Sequence, residues 1–289
     1  MQRQFVLRIL TGLVAAPTLV CAAWLGGWWW AGLIGLASAV GAWELYRMSR
    51  AENINPVGWL GIPCAVAIPV VAHGVTQYGW AVPLGAVMLP LLAVLVVVLL
   101  ARGPGERPLA SAAVTTFGVL YTAGTLTFGY GLRYHPYVIG AGAGAALVVL
   151  PVWLTWASDT GAYLFGRMIG GAKLMPSVSP GKTIAGAVGG LLMAVGMSFA
   201  YTLYVLKPVA EVTMTTGGIV LFGVIIAVAA QVGDLVESLL KREAGVKDSS
   251  GVFPGHGGVL DRLDSLIFVL PVAYLLLPHL LVVAPLASQ

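Results

Sequence analysis

The sequence predicts an all-α, polytopic integral membrane protein with about nine transmembrane helices. Three observations lead to this prediction. Only 9% of the residues are charged, whereas soluble domains carry ~25%. The hydrophobic share is 59%, and the mean hydropathy is +0.93. Apolar stretches long enough to cross a bilayer as helices, about 20 residues each, follow one another along the chain. Little sequence remains for a separate soluble domain, so we expect a single membrane domain over residues 1–289.

Short polar segments separate the predicted spans. The tryptophans at 28–30 lie between the first two, as is typical of a membrane interface. The polar linker 49–56 precedes the third span. The loop 102–107 precedes Pro108, which suits the first position of a helix. The predicted spans cover residues 6–24, 26–46, 57–73, 80–101, 109–130, 137–157, 184–206, 214–238 and 264–283.

The distribution of basic residues predicts the orientation. With a cytoplasmic N-terminus and nine spans, 13 of the 15 Lys and Arg residues fall on the cytoplasmic side, and only Arg133 and Lys207 fall outside. This bias follows the positive-inside rule and places the C-terminus externally. The basic N-terminus and the apolar run up to Cys21 resemble a secretory signal. Because Val20 stands where a small residue would be needed, we expect an uncleaved first span.

Several features argue against other functions. The pI is near 9.1, but basic residues scattered between membrane spans make a poor nucleic-acid site, so we expect no nucleic acid and a cytoplasmic face that meets anionic lipid or a nucleotide. Cys21 and Cys64 lie in apolar runs and indicate neither a disulfide framework nor a zinc site.

Glu44 lies near the end of the second predicted span, and Arg47 follows three residues later. This spacing on a helix predicts a local ion pair.

Ionisable residues concentrate between positions 231 and 265. Ten of the chain's charged residues lie there, between two apolar stretches. Charge at a membrane edge is costly and by default marks a functional site. Asp234 would lie ~10 Å inside the end of its helix at 1.5 Å per residue, and its side chain is too short to reach the interface as lysine does. Ser238 and Lys241 follow it along one helical stripe.

The loop after this helix carries glycines around His256, which would let the backbone approach a ligand and form an anion-binding nest. Asp234 and Asp261 would meet at one membrane edge if the last two spans pack antiparallel. Two close carboxylates repel each other unless they share a cation or a proton. Oxygen ligands without a Cys or His cluster favour Mg²⁺, and Lys247 and Arg262 would help to complete a phosphate site. These parts suggest metal-assisted phosphoryl or nucleotidyl transfer at the cytoplasmic leaflet.

A second polar segment covers residues 158–183. Asp159 stands just after the predicted end of span 6, and Arg167 follows. Lys182 and Thr183 stand before span 7 in a Ser-Pro-Gly-Lys-Thr run. The spacing excludes a Walker A loop, but a helix N-terminus with one lysine can still hold a phosphate. An ordinary capped helix start explains the run equally well. Polar density rises after residue 156, so we expect 1–157 to be largely scaffold, 158–265 the catalytic region, and 266–289 the last span and tail.

The polar positions of residues 238–264 resemble a family signature. They read SLLKR at 238–242, KD at 247–248 and PGHGGVLDRLD at 254–264. This pattern is similar to that of the phosphatidate cytidylyltransferases, also called CDP-diacylglycerol synthases. DTGAY at 159–163, GR at 166–167 and SPGKT at 179–183 resemble the family's second polar block, and the nine-span layout is similar over the full length. Family members often have a second lysine at position 181 and an aromatic–Glu pair after the threonine, which this chain lacks.

The resemblance implies that CTP and phosphatidate react to give CDP-diacylglycerol and pyrophosphate, a step of phospholipid biosynthesis. It implies Asp234 and Asp261 as metal ligands for Mg²⁺, at two cation positions. Catalytic roles are then expected for Asp234, Asp261, Lys241, His256 and Arg262. Substrate contacts are expected for Ser238, Lys247, Asp248, Asp264, Asp159, Arg167, Ser179, Lys182 and Thr183.

The expected partners are CTP, phosphatidate and the lipid bilayer, and a homodimer is left open. The expected location is the bacterial inner membrane, with the active site on the cytoplasmic side. Two alternatives remain from the sequence. A related CTP-dependent enzyme would act on another lipid, such as an archaeol-type phosphate or a polyprenol. A transporter or channel would carry charges near the bilayer midplane in several spans, whereas here they cluster at one predicted face.

Overall fold

The computed structural model describes residues 2–253 and 257–283, with the backbone alone for residues 2–11 and 13. Most of this part of the chain is helical. The α-helices are α1 (Gln2–Leu25), α2 (Gly27–Ala51), α3 (Gly58–Tyr78), α4 (Leu84–Ala101), α5 (Pro108–Val119), α6 (Phe128–Arg133), α7 (Ala141–Ile169), α8 (Ile184–Tyr201), α9 (Lys207–Ala210), α10 (Thr216–Glu243) and α11 (Leu260–Leu280). Single π-helical turns, Leu120–Gly124 and Thr202–Leu206, follow α5 and α8.

Seven helical segments of the described chain are long and apolar enough to cross a membrane. They are Gly58–Tyr78, Leu84–Ala101, Pro108–Arg133, Ala141–Ile169, Ile184–Ala210, Thr216–Glu243 and Leu260–Leu280. Helices α1 and α2 occupy the first two predicted spans but are not among the seven. An all-α polytopic membrane protein is therefore supported, whereas the count of nine and the orientation of the termini stay predictions.

The structure corrects the predicted boundaries around the polar segments. Ser158 and Asp159 do not end a helix, because α7 continues to Ile169. Helix α10 runs to Glu243, and α11 begins at Leu260, four residues before the predicted start of the last span. Four short strands were also missed: β1 (Lys173–Met175), β2 (Ser179–Thr183), β3 (Val212–Met214) and β4 (Leu281–Val283). They form two antiparallel ribbons, β1 with β2 and β3 with β4.

By its contacts the chain divides into two compact units. Among the described residues, the first contains 2–22, 26–130, 240–253 and 257–263, and the second contains 23–25, 131–239 and 264–283. In the first unit, the fully buried Tyr46 of α2 donates its hydroxyl to the Thr115 carbonyl of α5 at 2.7 Å. A Cβ at Gly61 or Gly118 would overlap the Tyr46 side chain, so these two glycines allow α3 and α5 to approach α2.

Helices α7 and α8 of the second unit pack through glycines. A Cβ built at Gly161 would lie 2.7 Å from the Gly189 carbonyl oxygen, and one at Gly186 would lie 2.7 Å from the Ala162 oxygen. Real Cβ atoms do not approach that closely, so only glycine allows this backbone contact. The close packing brings the middle of α7 beside the N-terminal turns of α8.

The ribbon of β1 and β2 leads directly into α8. Lys173 pairs with Thr183 in its register. Thr183 is the N-cap of α8, and its Oγ1 accepts a hydrogen bond from the Gly186 N–H at 3.0 Å. Such a bond satisfies one of the donors that a helix start leaves without an intrahelical partner. The predicted helix cap at this position is therefore confirmed.

Candidate active site

A cavity of about 430 Å³ opens in the second unit between α7, the β1–β2 ribbon, α8 and α10. Five residues proposed from the sequence line it: Asp159, Arg167, Lys182, Thr183 and Asp234. They come from the two polar parts of the sequence, 158–183 and 231–265. The structure thus joins Asp234 of the charged stretch to the 158–183 segment in one place.

Two carboxylates and two cations share this cavity. Lys182 Nζ lies 2.7 Å from Asp234 Oδ2, and about a quarter to a third of each side chain remains exposed. Asp234 Oδ1 also accepts a hydrogen bond from Ser238 Oγ at 3.3 Å, which confirms that these two residues share one face of α10. Arg167 and Asp159 are exposed at the same cavity. The cations suit phosphate oxygens, and the carboxylates suit a hard divalent cation.

Two polar residues of the cavity were missed in the sequence. The hydroxyl of Tyr163 accepts a hydrogen bond from Arg167 Nη1 at 2.9 Å and so orients the guanidinium. Gln231 donates from Nε2 to the Ala187 carbonyl at 3.0 Å and thereby ties α10 to α8. Helical spacing was the available signal, because Tyr163 precedes Arg167 by four residues and Gln231 precedes Asp234 by three.

Asp261 belongs to a hydrogen-bonded cluster in the first unit. Its Oδ1 lies 2.6 Å from Lys241 Nζ, and the two side chains are only 6% and 14% exposed. Its Oδ2 accepts hydrogen bonds from the Ser249 N–H at 2.9 Å, from Ser249 Oγ at 2.8 Å and from the Gly258 N–H at 2.7 Å. The cation and the three donors all favour the ionised carboxylate.

The sequence-based interpretation of Glu44 was wrong. Glu44 is fully buried, and its carboxylate accepts hydrogen bonds from the hydroxyls of Ser249 and Ser250 and from the N–H groups of Val259 and Leu260. Its predicted partner, Arg47, instead lies over the ring of Trp43. The error has a physical reason: the contacts of Glu44 are with residues more than 200 positions away, which helical spacing cannot reveal.

Gly257 and Gly258 allow the backbone to approach these two carboxylates. Gly257 has a φ of +78°, a conformation that residues with a Cβ rarely adopt, and a Cβ there would meet Asp261. A Cβ at Gly258 would overlap both Ser249 Oγ and Glu44 Oε1. The sequence suggested that these glycines let the backbone approach a ligand. Within the described residues, the side chains that approach this backbone are those of the chain's own Asp261 and Glu44.

The remaining predicted site residues differ in their exposure and position. Lys247, Asp248 and Arg262 are exposed. Asp264 accepts a hydrogen bond from the Ser265 N–H at 2.6 Å, and Ser179 begins β2. His256 lies outside the described residues. The roles assigned to all these residues stay predictions.

The donor set can be compared with the needs of Mg²⁺. The described residues contain no group of three or more His, Cys, Asp or Glu side chains that could hold a metal ion by themselves. Mg²⁺ does not need such a cage, because it is usually bound through one or two carboxylates together with substrate phosphates and water. Asp159 and Asp234 line one cavity and supply such a pair. The metal role of Asp261 stays a prediction.

The fold and the cavity define a class of protein: a helical, polytopic membrane protein with a charged site that suits phosphate groups. The chain belongs to the cytidylyltransferase family, whose sequence profile matches residues 6–280. This result confirms the resemblance stated above.

Named relatives are more specific than the family profile. The chain is 42% identical over 134 residues to the phosphatidate cytidylyltransferase of Staphylococcus epidermidis, which is 46% of this chain and 50% of that protein. It is 44% identical over 140 residues to that of Haemophilus influenzae, 48% of each chain. It is 40% identical over 148 residues to that of Bacillus subtilis, covering 51% of this chain and 48% of the relative. The chain thus spans about half the length of the curated relatives it matches.

Proposed function

We propose that this protein transfers CMP from CTP to phosphatidate, giving CDP-diacylglycerol and pyrophosphate. The main structural support is the cavity of the second unit, where Arg167, Lys182, Asp159 and Asp234 face one space. The family profile and the printed names of three bacterial relatives support the choice of CTP and phosphatidate.

In this reaction a phosphate oxygen of phosphatidate forms a bond to the α-phosphorus of CTP. The bond between that phosphorus and the oxygen bridging to the β-phosphate breaks, and pyrophosphate leaves with the bonding electrons. Phosphatidate is already anionic near neutral pH, so a strong base is not required. The protein accelerates the reaction by positioning the two substrates and by neutralising the charge of their phosphate groups. We assign Arg167 and Lys182 to phosphate oxygens, with Tyr163 orienting the guanidinium.

The pair of Lys182 and Asp234 has a further role in this proposal. A lysine held 2.7 Å from a carboxylate is kept at the cavity rather than free in solvent. When phosphates enter, the ammonium group can contact them by rotating about its flexible stem. Mg²⁺, when bound by Asp234 with Asp159, would neutralise charge on the triphosphate and the departing pyrophosphate. The expectations from the sequence that Asp261 is also a metal ligand and that there are two cation positions are kept as part of the proposal.

We also propose the membrane arrangement predicted from the sequence: nine spans in a bacterial inner membrane, with the catalytic region cytoplasmic. The bias of 13 to 2 in the basic residues supports it. Phosphatidate would enter from the leaflet and CTP from the cytosol. Single cysteines placed at Arg107 and at Tyr137, in a chain without its native cysteines, test the orientation. An impermeant thiol reagent should label only position 137 in intact cells, and labelling of position 107 would reverse the assignment.

A labelled-CTP assay on purified protein tests the reaction. Protein in detergent receives phosphatidate, Mg²⁺ and CTP labelled at the α-phosphate in one sample and at the γ-phosphate in another. The α-label should appear in lipid and the γ-label in pyrophosphate. Replacing phosphatidate by a polyprenyl phosphate or an archaeol-type phosphate tests the related lipid substrates. If neither label moves in a lipid-dependent way with any of several divalent cations, the proposed function is wrong.

Lys182→Ala and Lys173→Ala provide a matched pair in this assay. Both lysines belong to the same ribbon, but only Lys182 lines the cavity. Lys182→Ala should raise the KM for CTP or lower turnover, because a phosphate contact is lost. Lys173→Ala should behave like the wild type. Equal effects of the two substitutions would mean that the cavity is not the phosphate site.

A further inference from the structure

Glu44 is a buried carboxylate held by neutral donors. Two donors lie within hydrogen-bonding distance of each oxygen. They are Ser250 Oγ at 2.5 Å and the Val259 N–H at 2.9 Å for Oε1, and Ser249 Oγ at 3.0 Å and the Leu260 N–H at 2.7 Å for Oε2. Among the described residues no cation lies within ion-pair distance of it. Burying a carboxyl group without a cation costs free energy unless hydrogen bonds satisfy its oxygens.

The position of Glu44 explains how this cost is partly offset. Leu260 is the first residue of α11, and the N–H groups of Val259 and Leu260 have no acceptor within their own helix. A carboxylate at a helix N-terminus satisfies such groups and also interacts favourably with the helix dipole. Glu44 of α2 therefore caps the start of α11.

Ser249 connects Glu44 to Asp261. Its Oγ lies 3.0 Å from Glu44 Oε2 and 2.8 Å from Asp261 Oδ2, and its own N–H donates to Asp261. A serine hydroxyl has one hydrogen to donate, so the two carboxylates share it. Any movement of Glu44 must therefore move Ser249, and with it the partner of Asp261.

We propose that Glu44 is a positioning residue for the transfer reaction. It holds Ser249, Ser250 and the first turn of α11, and thereby fixes Asp261 and its ion pair with Lys241 in the geometry that the reaction uses. This inference rests on the proposed function, but it adds a residue from α2 that neither the family signature nor the cavity includes.

Glu44→Gln tests the inference, because a glutamine amide has one acceptor oxygen and presents its NH₂ to half of the four donors. Turnover should fall about ten- to a hundredfold, the range that a displaced group can cost, while the KM for CTP stays within about twofold, as expected for an interaction realised in the transition state. Amide hydrogen exchange followed by mass spectrometry should become faster in peptides covering 249–260. Peptides covering 159–167 should be unchanged.

Two further variants control for the loss of any carboxylate near α2 and for a failure of Glu44→Gln to fold. Glu52→Gln removes an exposed carboxylate just beyond the end of α2 and should leave turnover and exchange as in the wild type. Ser250→Ala keeps the Glu44 carboxylate and three of its four donors, so it should fold even if Glu44→Gln does not. It should lower turnover by a smaller factor, about two- to fivefold if one hydrogen bond is lost.

The outcomes separate the two proposals. If the wild type incorporates no CMP into lipid, the proposed function fails and the positioning role fails with it. If the wild type is active and Glu44→Gln is equally active, only the positioning role fails. The same conclusion follows if turnover falls without faster exchange over 249–260, or, where Glu44→Gln does not fold, if Ser250→Ala has wild-type turnover.

Discussion

The ion pair between Lys241 and Asp261 allows a prediction that separates stability from catalysis. The change is Asp261→Asn, alone and together with Lys241→Met. The pair has a 2.6 Å contact and side chains that are 14% and 6% exposed. Removing one partner from a buried pair costs ~3–5 kcal/mol, and we expect ~3 kcal/mol here because a lysine stem can turn its ammonium group toward water.

The partner substitutions should not be equally costly. Lys241→Met alone leaves Asp261 with three donors, from Ser249 and Gly258, so it should destabilise less than Asp261→Asn. In the double variant the lysine ammonium group is removed together with the carboxylate, so no unpaired charge is left buried. It should therefore recover ~1–2 kcal/mol relative to Asp261→Asn, because replacing a buried pair is cheaper than breaking it.

Unfolding in detergent, followed by tryptophan fluorescence, measures these differences. The expected order of stability is wild type, then the double variant, then Asp261→Asn. Glu243→Gln, at an exposed position of the same helix end as Lys241, serves as the control and should unfold like the wild type. The labelled-CTP assay should find all three variants of the pair inactive. A double variant no more stable than Asp261→Asn would refute the assigned interaction, and an active one would remove the pair from the site.

Three further predictions concern single contacts. Gly258→Ala places a Cβ against the hydroxyl and carboxylate that approach this backbone and should lower turnover at least about tenfold; Gly251→Ala, where the space is open, should be neutral in the same assay. Thr183→Ala removes the N-cap of α8 and should cost ~1 kcal/mol in the unfolding experiment; no loss would mean that the cap is not needed. Asp234→Asn should abolish turnover while changing stability by less than ~1 kcal/mol, because its ion pair is partly exposed; near-normal turnover would exclude it from the site.

Local spacing predicted some site contacts and missed others for a definable reason. Asp234 and Ser238 are four residues apart on α10, and the predicted shared face is observed. The cap at Thr183 was likewise readable from the residues that precede a helix. Glu44 was misassigned because a spacing rule can offer only neighbours along the helix. Its real partners lie more than 200 residues away, and no local pattern contains that pairing.

Composition and periodicity alone determined the class of this protein. Too few charges for a soluble domain and successive apolar stretches of about 20 residues indicate membrane helices, whose backbone groups all bond within their own segment. The run of polar positions from 238 to 264 determined the family. The tertiary structure decided which of these residues meet. Glycine contacts between α7 and α8 bring Asp159 and Arg167 to the cavity of Lys182 and Asp234. Glu44, for which the sequence predicted a local ion pair, instead caps α11. Such contacts depend on close packing between distant segments, which helical period and hydropathy do not encode.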